Sequence, residues 1–162
     1  MSLTDQQIAI DGNGRKVLVV DCEPCFVRIV EASLTRCSFA VFKAYSKSEA
    51  LEEIERQALE MPEIVIVGDL TVEDPNSNES NFGLLRTLQE NPKTKDIRVI
   101  MLTKKAEDKF MFRGWSEGVS SYLTRPHNPR ELLIYCYRIL EQKDKDAADP
   151  GKTEREKIWD VK

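Results

Sequence analysis

Lys16-Val17-Leu18-Val19-Val20-Asp21 decides the fold. It is a continuous apolar run, rich in β-branched residues, that ends in an acid. Such a run predicts a strand buried on both faces, the kind found inside parallel sheets. Ile64-Val65-Ile66-Val67-Gly68-Asp69 repeats the pattern, and Ile97-Arg98-Val99-Ile100-Met101-Leu102-Thr103 repeats it with a hydroxyl at the tip. Ser38 to Tyr45 and the short Ser121-Tyr122-Leu123 read as two more strands. Helical stripes lie between them. Phe26, Val27, Val30 and Leu34 share one stripe, with Ile29 on its flank. Ser46-Lys47-Ser48-Glu49 reads as a capping box ahead of Ala50, Leu51, Ile54 and Ala58, its hydroxyl and carboxylate satisfying each other's orphan amides. Leu84, Leu85 and Leu88 mark a third helix, and Phe110, Met111, Trp115 and Val119 a fourth. Asn128 as N-cap, Pro129 at the first helical position and Glu131 at the third open a fifth, which turns Leu132, Leu133, Cys136, Ile139 and Leu140 inward. Strand and helix thus alternate five times. Parallel strands need crossovers, and right-handed crossovers put helices on both faces, so the expected class is α/β with a five-stranded parallel sheet.

The rest of the chain frames that unit. A length of 162 residues suits one domain. Residues 1–14 read as a polar lead-in, 15–142 as the domain, and 143–162 as a charged tail or linker broken by Pro150-Gly151 and carrying Ile158, Trp159 and Val161. With 24 basic and 28 acidic residues the net charge is −4, which argues against a polyanion binder. No direct contact with nucleic acid is expected. At 41% hydrophobic residues there is material for one core, and no apolar run is long enough to span a bilayer. The amino-terminal residues lack the pattern of a secretory signal. Four cysteines do not make a disulfide scaffold, so a reducing, cytoplasmic setting is expected.

In an open parallel sheet, ligands bind beyond the carboxyl ends of the strands. The residues there are Asp21, Asp69 and Thr103, followed by Thr124-Arg125-Pro126 after the fifth strand. Two acids can hold a hard divalent cation, and a hydroxyl and a cation can hold an anion beside it.

These segments carry a resemblance. Lys16 to Pro24, Ser80-Asn81-Phe82-Gly83-Leu84-Leu85-Arg86, Val99-Ile100-Met101-Leu102-Thr103 and Ser121-Tyr122-Leu123-Thr124-Arg125-Pro126, in this order, resemble the receiver domain of two-component response regulators over about residues 15–142. The resemblance implies a doubly wound sheet in the flavodoxin/CheY-like order 2-1-3-4-5. It implies a phosphorelay switch rather than an enzyme: a sensor histidine kinase phosphorylates an Asp at the end of the third strand, and Mg²⁺ and a Lys neutralise the transferring group. Carried over by position, Asp69 is the phosphoacceptor. The metal ligands are Asp21, Asp69 and the Thr71 carbonyl. Thr103 and Tyr122 are the switch pair, and Arg125 stands at the phosphate-contacting Lys position. The implied partners are the kinase and a downstream protein or output domain, with a homodimer possible and no membrane involved. The changing surface is the fourth helix, fifth strand and fifth helix.

Three positions depart from the family pattern. Cys22 replaces the second acid, and a thiol is a poor ligand for Mg²⁺, so a weakened metal site is expected. Glu23 could reach in from one position further on. Arg125 keeps the charge of the Lys with a longer, planar fork. Counting from Pro62 puts the acceptor at Gly68, whereas counting from Asp69-Leu70 puts it at Asp69; a one-residue shift turns a strand side chain to the other face. Asp69 is favoured if the extra residue is absorbed before Ile64. The alternative function is a phosphorylation-independent pseudo-receiver acting as a protein-interaction module. Cys22-Glu23-Pro24-Cys25 also has dithiol spacing, but its flanks resemble the receiver and not a redox enzyme; Cys37 and Cys136 are unpaired in sequence, so zinc is discounted. His127 could contact phosphate or be a surface loop residue. Phe112, Phe110 and Trp115 could form an exposed face, although Phe110 and Trp115 are expected in the core. Thr103 could simply cap the next helix, and the loop from Leu70 to Ser80 could be a lid or an insertion.

Overall fold

The computed structural model describes residues 9–57, 59–70, 79–104 and 108–148. Thr71, the loop around Pro75, Ala58, the Phe110 side chain and the segment with Ile158, Trp159 and Val161 lie outside the described residues. The elements are β1 (Lys16–Val20), α1 (Pro24–Thr35), β2 (Ala40–Ala44), α2 (Lys47–Arg56), β3 (Ile64–Val67), α3 (Glu79–Glu90), β4 (Arg98–Thr103), α4 (Asp108–Ser116), β5 (Ser121–Thr124) and α5 (Pro129–Ala148). All strand pairs are parallel, in the order β2-β1-β3-β4-β5. The doubly wound α/β fold is therefore present.

Strand side chains alternate between faces, and this sorts the core into two layers. Val17 and Val19, Ile64 and Ile66, Ile100 and Leu102 pack with α1 and α5. Leu18 and Val20, Val65 and Val67, Val99 and Met101 pack with α2, α3 and Tyr122. The α1/α5 face and the α2–α4 face are thus fixed by the parity of each strand position. Burial on both faces explains why these strands show no polar alternation.

Local signals hold up well. The Glu49 amide donates to Ser46 Oγ at 3.1 Å, while the Glu49 carboxylate takes the Tyr45 amide at 2.7 Å rather than that of Ser46. Asn128 Oδ1 accepts from the Arg130 amide at 2.8 Å and so caps α5.

Two expectations need correction. Trp115 is exposed, not core. At Gly114 a side chain would meet the Tyr122 ring at 3.0 Å, so α4 turns its glycine to the sheet and Trp115 faces away. The residues expected to begin the tail at 143 instead continue α5 to Ala148. Their charges are satisfied by the domain: Asp146 is buried and pairs with Arg98 at 3.1 Å, and Asp144 pairs with Arg15 at 2.8 Å. Among the described residues, no helix is long and apolar enough to cross a membrane.

Candidate functional site

β1 runs straight into Asp21, which is fully buried. Its carboxylate is thoroughly committed. Oδ1 accepts the Glu23 amide at 2.7 Å, and Oδ2 accepts the Asp69 amide at 2.8 Å and the Arg125 guanidinium. Arg125 is held in turn by its own Nε, which donates to the Leu102 carbonyl at 3.1 Å, and by the Phe26 ring, whose centroid lies 3.4 Å from the guanidinium carbon. The Arg125–Pro126 peptide is cis.

Register decides which β3 residue faces this pair. Val20 is aligned with Val67, so the next step of the ladder brings Gly68 beside Asp21. Gly68 follows Ile64 and Ile66 on the α1/α5 face. A Cβ built there would run into Asp21 Oδ2 and the Arg125 guanidinium. Glycine is required by that close approach; its φ is unremarkable.

Asp69, one residue on, turns to the opposite face, where Val65, Val67, Tyr122 and α4 lie. Its Oδ1 accepts from the Thr103 hydroxyl, and its Oδ2 accepts the Lys104 amide at 3.0 Å. The Arg125 Nη1 reaches it from the other side at 3.7 Å. The Asp69 side chain keeps 24% of its surface exposed, so it lies at the mouth of the cluster. Above that mouth, Lys104 pairs with Glu23 at 3.1 Å. Burial, and then the Asp69 carboxylate, pushes the Tyr122 hydroxyl up to about 12.

The expected residues are gathered, but not as one cavity of two facing acids. The Asp21 and Asp69 carboxylates are on opposite faces, and among the described residues they are linked through Arg125 and the Asp69 amide. The physical reason is the strand pleat. The donor set also does not suit Mg²⁺. Both Asp21 oxygens already serve N–H donors, and Cys22, half-buried, offers sulfur where oxygen is needed. Glu23 turns outward to Lys104. Among the described residues no group of three or more His, Cys, Asp or Glu could hold a metal ion.

His127 is half-buried rather than a plain surface residue: its ring meets Phe26 edge-on at 6.1 Å between centroids. Burial, and next the Arg125 charge, holds it below its ordinary value. Cys25 is exposed at the start of α1, and all four cysteines are free thiols. Sequence reasoning missed the Lys104 amide, because a backbone donor has no side-chain signature.

The family model for the response regulator receiver domain matches residues 17–136. The chain is 30% identical over 145 residues to the regulatory protein VanRc of Enterococcus gallinarum, covering 88% of this chain and 58% of that protein. It is 29% identical over 136 residues to the two-component response regulator ARR11 of Arabidopsis thaliana, covering 84% and 24%. The chain thus spans between about a quarter and three-fifths of the length of these relatives. In fold it is similar to a CheY-like receiver protein from Methanospirillum hungatei (TM-score 0.68, 21% identity, 82% of this chain and 98% of that one). The chemotaxis response regulator CheY4 of Vibrio cholerae gives 0.64 at 23% identity, covering 76% and 97%.

Proposed function

Because the chain belongs to the receiver-domain family of response regulators, we propose that it is a signalling module that works through protein contact and without taking up a phosphoryl group. The observation that carries this reading is Gly68, which stands beside Asp21 where an acceptor side chain would project, with Arg125 already paired to that acid. A phosphoryl acceptor needs an accessible carboxylate next to a bound cation, so that charge on the transferring group is neutralised. Here the buried acid is spent on amides and a guanidinium. The module's partner is a downstream protein, an output domain or a second copy of the chain. Phe112, 76% exposed on α4, and the neighbouring Trp115 offer apolar ground for it.

A second reading keeps Asp69 as the acceptor from a sensor histidine kinase, with Mg²⁺ and the Thr71 carbonyl completing the site. What favours it is that the Asp69 carboxylate is partly exposed and already meets Thr103. One experiment separates the two. The protein is incubated with acetyl phosphate and Mg²⁺ and its intact mass is measured. The first reading expects no change in mass. A gain of one phosphoryl group, removed by neutral hydroxylamine as an acyl phosphate is and absent in Asp69→Ala, would establish the second.

A further inference from the structure

Asp69 has an odd set of partners for a carboxylate at the rim of a sheet. A hydroxyl (Thr103), a backbone amide (Lys104) and a guanidinium (Arg125) converge on it from three directions. Fixed donors of these three types make a receptor for a small oxyanion, since each favours negative charge and none needs to move to receive it. The receptor is built where the paired strands β4 and β5 end: the tip of β4, the chain just beyond it, and the residue after β5. Its occupant is supplied by the chain itself, because Gly68 shifts the acid one residue along β3 and so onto the Thr103 face.

We propose that Asp69 is a tethered ligand of an oxyanion site formed by the Thr103 hydroxyl, the Lys104 amide and the Arg125 guanidinium, and that its permanent occupancy holds the adjoining face in one state. This rests on the reading of the chain as a receiver module that takes up no phosphoryl group, and adds how that module is held. The face concerned is close at hand. Tyr122 lies on the same side of the sheet as Asp69, and its ring packs where α4 presents Gly114. Emptying the site breaks the Thr103–Asp69 bond and removes a negative charge from beside Tyr122, so the ring and α4 above it can move. Arg125 plays the complementary part. It lies between the two carboxylates, bonded to Asp21 and 3.7 Å from Asp69, where a mobile cation would otherwise be needed.

The test uses the full chain carrying Trp159→Phe so that Trp115 alone emits, with Asp69→Ala and Asp69→Ser in that background, heteronuclear NMR of the Lys104 amide and Tyr122, and Trp115 fluorescence, with inorganic phosphate as the probe. In both variants the Lys104 and Tyr122 signals and the Trp115 emission are expected to leave their wild-type positions. Millimolar phosphate should bind saturably to the variants and return those signals toward wild type, while wild type itself ignores phosphate. Ser is included so that the proposal stays testable if Ala fails to fold. The tethered-ligand proposal is overturned if the variants keep wild-type Tyr122 and Trp115 signals, or if they bind phosphate no better than wild type does. Neither result touches the phosphoryl-independent reading, which falls only to a covalent phosphoryl group on wild-type Asp69.

Discussion

The two ends of the sheet both carry ion clusters, and they are built on different terms. At the amino end, Arg15 bridges Glu63 at 2.5 Å and Asp144 at 2.8 Å, and Lys143 joins Glu63 at 3.7 Å. Those side chains are a quarter or more exposed. At the carboxyl end, Asp21 is fully buried and the Arg125 side chain is only 8% exposed. The first cluster fastens the last turns of α5 to the domain with water sharing its load, beside the buried Arg98–Asp146 pair at the same end. The second has no water to fall back on, so every charge there must be answered by the protein. Charge density alone therefore does not mark a functional end. What sets the carboxyl end apart is that its partly open carboxylate, Asp69, is met by a hydroxyl and a backbone amide as well as a guanidinium, whereas Glu63 is met by charged side chains.

This contrast can be broken by experiment. The largest effect is expected from Arg125→Met, which leaves Asp21 buried and stripped of its cation. It should cost about 3–5 kcal/mol of folding free energy. Arg15→Met, at the wetter end, should cost no more than about 1 kcal/mol. Urea denaturation of the two variants checks this, and equal losses would erase the distinction.

Gly68→Ala comes next. The added Cβ collides with Asp21 and Arg125, so about 1–3 kcal/mol is expected, in the range for overpacking. Combined with Arg125→Met, the same change should cost less, because one of the two obstacles is gone. Strict additivity in that double-mutant cycle would show that the guanidinium is not what excludes a side chain.

The smallest effects are in pH. His127 is held below its ordinary 6.5 by burial and by Arg125. The unfolded chain then takes up the proton first, so this contribution is complete above that value and is lost as pH falls through the depressed folded value. Glu63, held below its ordinary 4.5 chiefly by its hydrogen bond from Arg15, contributes stability above that value and loses it on further acidification. Acid should therefore unload the carboxyl end before the amino end. NMR titration of His127 and Glu63 reads the order directly, and Arg125→Met should move the His127 midpoint upward.

Much of this was legible in the residues themselves. Three buried runs, five helical stripes and two caps fix the layered sheet, because burial on both faces leaves no other use for such strands. The site was only half legible. Counting from Pro62 and counting from Asp69 gave different residues for the place beside Asp21, and only the register of β3 against β1 puts Gly68 there. That register is a relation between strands distant in sequence, and no local pattern encodes it. The reach of α5 was missed because its last residues look like a solvated charge run. Arg98 inside an otherwise apolar strand was the available clue, since a buried guanidinium needs an acid, and Asp146 supplies it. Trp115 was misplaced because an apolar stripe does not reveal that a glycine will take the inward position.

The collision at Gly68 also bears on how this chain can change. An acid placed at that position meets a guanidinium already bonded to the buried Asp21 carboxylate. A smaller cation installed first leaves that carboxylate poorly answered. A side chain at position 68 and the Arg125–Asp21 pair therefore compete for one space, so neither can be altered without disturbing the other.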